Sequence, residues 1–192
     1  MHIRPATPRD AVHLAMLVDM AAKGLASHLW RMTAAPGQSP LEVGLTRAQR
    51  DDGAFSWRNA HVAEIGGEVA GVLIGYALGD PVDVSDVDSM NVVARDLTLL
   101  EAEAPGHWYV NVLAAYPEYR GRGLGSALLA LADELGLVAA TRGMAIIVAS
   151  TNGSAKRLYE RFGYRHVAKR PVTALAGLET HGDWLLMTKP HS

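Results

Sequence analysis

The chain has no cysteine among its 192 residues. That absence excludes disulfide staples, thiolate metal sites and a cysteine nucleophile together. No stretch approaches the roughly 20 consecutive apolar residues that cross a bilayer, and the opening "MHIRPATPRD" lacks the apolar core of a signal peptide. The expectation is a cytoplasmic protein with no membrane partner. Excess charge is missing too. The 18 basic and 20 acidic residues leave a formal net charge of -2, so no global field recommends a nucleic-acid partner and any anion site must be local. The eight histidines, His2, His13, His28, His61, His107, His166, His181 and His191, show no HxH, HxxxH or HExxH spacing, so no metal is expected. No repeat, low-complexity segment or interdomain linker interrupts the chain, and its length suits one domain over residues 1–192.

What is present reads as alternating strands and helices. "HIRPAT" is a short first strand, and Thr7, Pro8 and Asp10 form a helix-start signal before Ala11, Leu14, Leu17, Val18 and Ala21, with Gly24 placed to end that helix. "GLASHLWRMTAAPGQ" reads as a loop or broken turn. Ser39, Pro40 and Glu42 start a second helix that stops near Gly53, with Gly44 inside it. Gly66 and Gly67 join two strands of a hairpin in "NAHVAEIGGEVAGVLIGYAL". From Gly79 to Gly106 seven carboxylates face the single Arg95, so this segment, about 80–106, reads as an acidic excursion outside the core, with a short helix at "VARDLTLLEAEA". "HWYVNVLAA", a glycine run leading into a helix, and "GMAIIVAS" form a strand, helix, strand unit. "GSAKRLYERFG" is a further helix, and "YRHVAKR" and "DWLLMTKP" are closing strands.

The glycine run "YRGRGLGSALL" carries the strongest chemical signal. Between a strand and a helix, exposed backbone N–H groups form an anion-binding concavity reinforced by the helix dipole. Gly121, Gly123 and Gly125 remove side chains that would hold an oxyanion away, and Arg120 and Arg122 add charged donors. No Gly-Lys-Ser/Thr follows, and the spacing is GxGxG where dinucleotide folds use GxGxxG, which argues against triphosphate hydrolysis and NAD binding.

"VLAAYPEYRGRGLGSALL" followed by "NGSAKRLYERFGYRHV" resembles the GCN5-related N-acetyltransferase (GNAT) family, with Arg120, Gly123 and Gly125 matching its Q/R-x-x-G-x-G/A signature. The resemblance implies an α/β (α+β) fold with a mixed, mostly antiparallel central sheet flanked by helices, and an acetyl-CoA-dependent transferase acting on a primary amine of a small molecule or peptide. It places the cofactor pyrophosphate on Arg120, Gly121, Arg122, Gly123, Leu124 and Gly125, and the pantetheine arm along Leu113, Ala114 and Ala115. Asn152 resembles the asparagine that bonds the cofactor arm. Tyr159, two helical turns later, resembles the tyrosine that protonates the departing thiolate, a role that suits a phenol of pKa about 10.

The attacking amine must lose a proton, and the sequence offers no obvious carboxylate for it. Ile147 stands where a related group of enzymes that acetylate ribosomal-protein N-termini carries a glutamate. On the central strand His107, Tyr109, Asn111 and Leu113 share one face by alternation, leaving His107 as the catalytic base candidate and Glu64 as a weaker one. The first-to-second helix loop walls the acceptor in the family, which points to His28, Trp30 and Arg31, with Tyr109 and Asn111 on the strand face. Edge strands near the C-terminus suit a homodimer. Two readings from other classes stand beside the enzyme: an acyl-CoA-binding sensor without turnover, and a nucleotide-binding domain using the same loop.

Overall fold

The computed structural model describes residues 1–175 and 181–191. Its strands follow the order β1-β2-β3-β4-β5-β7-β6 in one sheet. β1 is His2–Pro5, β2 Ala60–Ile65, β3 Glu68–Ala77, β4 Trp108–Ala115, β5 Met144–Ala149, β6 Arg165–Pro171 and β7 Asp183–Lys189. β4 and β5 are parallel, while β1 with β2, β2 with β3, β5 with β7 and β6 with β7 are antiparallel. β3 and β4 also oppose one another, since Leu78 N donates to His107 O and Tyr116 N to Ala70 O. This is the mixed, mostly antiparallel sheet with flanking helices that the sequence implies. No helix among the described residues is long and apolar enough to cross a membrane.

Contacts group the chain into two compact units, Met1–Gly75 with Asn111–Leu128, and Tyr76–Val110 with Leu129–Ser192. In the first, α1 (Ala11–Ala21) lays Leu14 and Leu17 on Val62, Val72 and Ile74, beside Val112 and Ala114. The entry to α1 is fixed electrostatically. The Asp10 carboxylate accepts from Thr7 N at 2.7 Å and from two nitrogens of Arg4 at 2.9 Å. Arg4 also reaches Glu64 at 2.8 Å. Burial pulls the Asp10 carboxyl upward, but the Arg4 and Thr7 donors outweigh it and hold it at about 2. The Gly66 and Gly67 turn has φ of 65° and 87°, the left-handed pair that a two-residue hairpin loop requires.

The stretch expected as a loop after Gly24 is instead helix α2 (Leu25–Thr33). It starts without a side-chain cap, so the local start signal is missing; its stability comes from burying Trp30. The Trp30 ring lies 2.6 Å from the position a Cβ would take on Gly44 of α3 (Pro40–Ala48), and stacks on Phe55 with centroids 5.8 Å apart. Gly44 is therefore a packing site inside a helix that opens with the expected Ser39–Glu42 reciprocal cap.

In the second unit the acidic segment does not lie wholly outside the core. Its first half is solvated, with Asp83, Asp86 and Asp88 exposed. Its second half forms α4 (Val92–Glu101), which packs on β5, β6 and β7. Leu100 and Ala104 join Leu78, Tyr109, Ala145 and Leu186 in one buried cluster. Lys189 at the end of β7 donates to Asp133 at 2.6 Å and sits over the Tyr164 ring, 5.2 Å from its centroid. Asp133 belongs to α5 (Leu124–Val138), and α6 (Gly153–Arg161) follows β5.

Candidate active site

The first unit presents the glycine loop. β4 ends at Ala115, a turn at Pro117–Tyr119 follows, and α5 begins at Leu124. Gly121 and Gly123 have φ of 74° and 82°, which side-chain-bearing residues adopt at a cost, and a Cβ on either would meet nothing within 4 Å. The two glycines thus leave open space above a bare backbone. Gly121, Arg122 and Gly123 are exposed, and Gly123 O accepts the Ala127 amide, closing the first turn of α5. The amides of a first helical turn have no partner further back in their own helix. Arg120 Nε donates to Ala115 O at 3.2 Å, which draws the guanidinium back along the strand end, and the Arg122 guanidinium stands 5.5 Å over the Tyr119 ring.

The second unit carries Asn152 and Tyr159. Asn152 caps α6, its Oδ1 accepting from Ala155 N at 3.3 Å. Tyr159, two turns on, is buried beside Tyr164, the rings 6.0 Å apart. Burial pushes its hydroxyl up to about 12, so it keeps its proton at neutral pH.

A second group of hydroxyls lies in the same unit. Tyr109 is buried on β4, its ring edge-on to Tyr76 at 5.7 Å, and Glu101 ends α4 in the same unit. Glu101 is only partly enclosed. Burial raises its carboxyl to about 7, and the nearby Tyr109 hydroxyl pulls in the opposite direction. Burial likewise raises the Tyr109 and Tyr76 hydroxyls, with the Glu101 charge adding to each, and Tyr159 is close enough to act on Tyr109 as well.

A family model described as "Acetyltransferase (GNAT) family" matches residues 27–164. The chain belongs to the GNAT acetyltransferase family. No curated relative matches. Among solved structures, one described as an acetyltransferase shares 20% identity over 100% of both chains with a TM-score of 0.69. An N-acetyltransferase from Staphylococcus aureus Mu50 shares 19% over 98% of this chain and 100% of its own, TM-score 0.69. A mosquito arylalkylamine N-acetyltransferase-like protein shares 16% over 98% of this chain and 99% of its own, TM-score 0.63. At such identities the likeness is one of fold.

Against that GNAT framework the other sequence-derived candidates fall into place. Trp30 is 4% exposed, one ring face on Gly44 and the other on Phe55. As an acceptor-wall candidate Trp30 is therefore corrected: its ring is packed into the core and leaves no free face. His28 is partly buried on α2 and Arg31 is exposed there. His107 precedes β4, with Nδ1 3.2 Å from Pro105 O and its ring against Gly143. Glu64 is held by Arg4. Asn111 is partly exposed on β4, whereas Tyr109 is buried.

Sequence reasoning passed over Glu101, taking it for part of a solvated acidic run. The signal was available: Leu97, Glu101 and Ala104 share one helical stripe, so the carboxylate stands among apolar positions.

Proposed function

We propose that this GNAT protein transfers an acetyl group from acetyl-CoA to a primary amine of a small molecule or peptide. The observation that carries the reading is the open glycine loop at the start of α5. Its two left-handed glycines, exposed backbone and flanking Arg120 and Arg122 suit a pyrophosphate that must approach main-chain amides closely. The residues present fit the cofactor. Arg120, Gly121, Arg122, Gly123, Leu124 and Gly125 would hold its phosphates, Leu113, Ala114 and Ala115 its pantetheine arm, and Asn152 would add a polar contact while capping α6.

Acetyl-CoA, when bound, supplies an acetyl group activated as a thioester. The protein's part is to bind, orient and keep the proton account. Tyr159 holds a proton on its hydroxyl oxygen at neutral pH, because burial keeps the phenol un-ionised, and so stands ready to protonate a thiolate. Glycines in the loop let the backbone supply fixed dipoles at no cost of reorganisation.

Thermal unfolding with acetyl-CoA, CoA and ATP side by side tests the reading, since a ligand that binds the native state raises its apparent stability. Stabilisation by acetyl-CoA and CoA but not ATP is the expected result. A response to ATP alone would replace it with a nucleotide-binding reading. Cofactor binding without acetylation of any amine would replace it with an acyl-CoA sensor.

A further inference from the structure

We propose that one internal water molecule binds between α5 and β7, at the entry to β6, where it bridges the Tyr164 hydroxyl to the Asp133 carboxylate beside Lys189. The inference stands apart from the acetyl-transfer reading and concerns the packing next to Tyr159.

Three side chains meet there, all within one compact unit. The Lys189 ammonium, on a side chain only 6% exposed, donates to Asp133 Oδ2 at 2.6 Å. It also stands over two rings, 5.2 Å from the centroid of Tyr164 and 5.8 Å from that of Phe162. The cation thus ties the carboxylate to the Tyr164 ring. Two further polar atoms remain. Tyr164 is fully buried, and its hydroxyl finds no hydrogen-bond partner among the described residues; the other carboxylate oxygen of Asp133, Oδ1, is buried and finds none either. Roughly nine in ten or more of such buried groups in folded proteins are paired, with protein or with ordered water. Burial first and the Asp133 charge second raise the Tyr164 hydroxyl, so the phenol keeps its proton and the carboxylate lies within electrostatic reach of it.

The two atoms specify what can join them. Tyr164 has a proton to donate, whereas a carboxylate oxygen only accepts, so the bridging molecule must accept from one and donate to the other. An ammonium ion has no acceptor and a halide has no donor. Asp133 already has its counter-charge in Lys189, so an added ion would leave an unpaired charge in the interior. Water meets every requirement. It accepts from Tyr164 Oη, donates to Asp133 Oδ1 and can take a third bond from Lys189, whose ammonium keeps two N–H groups beyond the one on Oδ2. About three bonds is the usual complement of a buried water. The bridge fixes the Tyr164 ring, which lies 6.0 Å from the ring of Tyr159 and whose backbone amide donates to Tyr159 O at 3.1 Å.

Wild type and Tyr164→Phe decide between a bridged and an unpartnered hydroxyl. A high-resolution crystal structure of the wild type should show one ordered water within about 2.6–3.2 Å of both Tyr164 Oη and Asp133 Oδ1. Oxygen-17 relaxation dispersion in solution should count one long-lived internal water fewer in Tyr164→Phe. The urea midpoint supplies an independent sign. Removing a bridged hydroxyl strands Asp133 Oδ1 and lowers the midpoint, whereas removing an unpartnered one relieves a buried orphan and raises it. Phenylalanine keeps the ring and its packing, so the variant folds in either case. The proposal is overturned if the two oxygens bond each other directly, if no solvent joins them, or if the midpoint of Tyr164→Phe equals or exceeds that of wild type. Neither cofactor nor turnover enters these readouts, so they leave the transfer reading untouched.

Discussion

The indole of Trp30 rests on Gly44 so closely that a Cβ there would lie 2.6 Å from a ring carbon. One helix thus presses an aromatic ring against the bare backbone of the next, and neither residue tolerates a change in volume alone. Gly44→Ala is expected to destabilise by about 1–3 kcal/mol despite alanine's better helix propensity, because the ring is wedged against Phe55 and cannot retreat. Adding Trp30→Phe should recover part of the loss. Chemical denaturation of the single and double variants checks this; an unchanged midpoint for Gly44→Ala would mean that the two helices separate freely.

Gly123→Glu is expected to weaken CoA binding by more than about tenfold while leaving a folded protein. The substitution places a carboxylate at the proposed phosphate position, and adds about 1–2 kcal/mol of strain at a left-handed position. Gly123→Ala carries the same strain without the charge, so the difference between the two in a calorimetric titration isolates the electrostatic part. Equal affinities for wild type and the glutamate variant would remove the loop from the cofactor site.

If the Tyr159 hydroxyl protonates the departing sulfur, as proposed, Tyr159→Phe lowers kcat far more than it changes acetyl-CoA affinity, because the ring keeps its place beside Tyr164. A wild type that keeps its activity through about pH 10, where a free phenol is half ionised, agrees with a phenol held near 12 by burial. Full turnover by the phenylalanine variant would leave the leaving group to water.

The Arg4–Asp10 contact predicts an acid-sensitive entry to α1. The Asp10 carboxyl is held below its usual range, so its contribution is present above about pH 4 and is lost as pH falls through about 2. Asp10→Asn should lower Tm at neutral pH, and the gap to wild type should shrink steadily below pH 4. A gap independent of pH would assign the effect to packing and not to the charge that Arg4 and Thr7 stabilise.

What could be read from the sequence was set by how locally each feature is determined. Ser39 and Glu42 cap α3 with atoms three residues apart, and Gly66 and Gly67 turn a hairpin on their own dihedrals, so both are legible without a partner. The same holds for the glycine loop, where backbone geometry is the message. α2 was not legible: it follows a left-handed Gly24, has no side-chain cap, and is held by Trp30 meeting residues 14 and 25 positions away. Glu101 failed for a related reason. A run of carboxylates looks solvated until the fold decides which helix face turns inward, and that decision belongs to Leu100 and Ala104 packing with Tyr109 and Leu186 of distant strands. Asn152 was read for its polar amide alone; its use as the cap of α6 appears only once the helix start is fixed.

β3 and β4 are antiparallel neighbours that two residues could join, yet Leu78 and His107, hydrogen-bonded to each other, are separated in sequence by the whole of α4 and its acidic approach. The segment's ends are clamped side by side, so the exposed approach before α4 can change in length and composition with little entropic consequence for the strands, while α4 itself is tied to the core by Leu100 and Ala104. The glycine loop lies outside it and Glu101 within it. Inheritance or engineering can thus rewrite the exposed approach to α4 while the backbone of the glycine loop passes on unchanged.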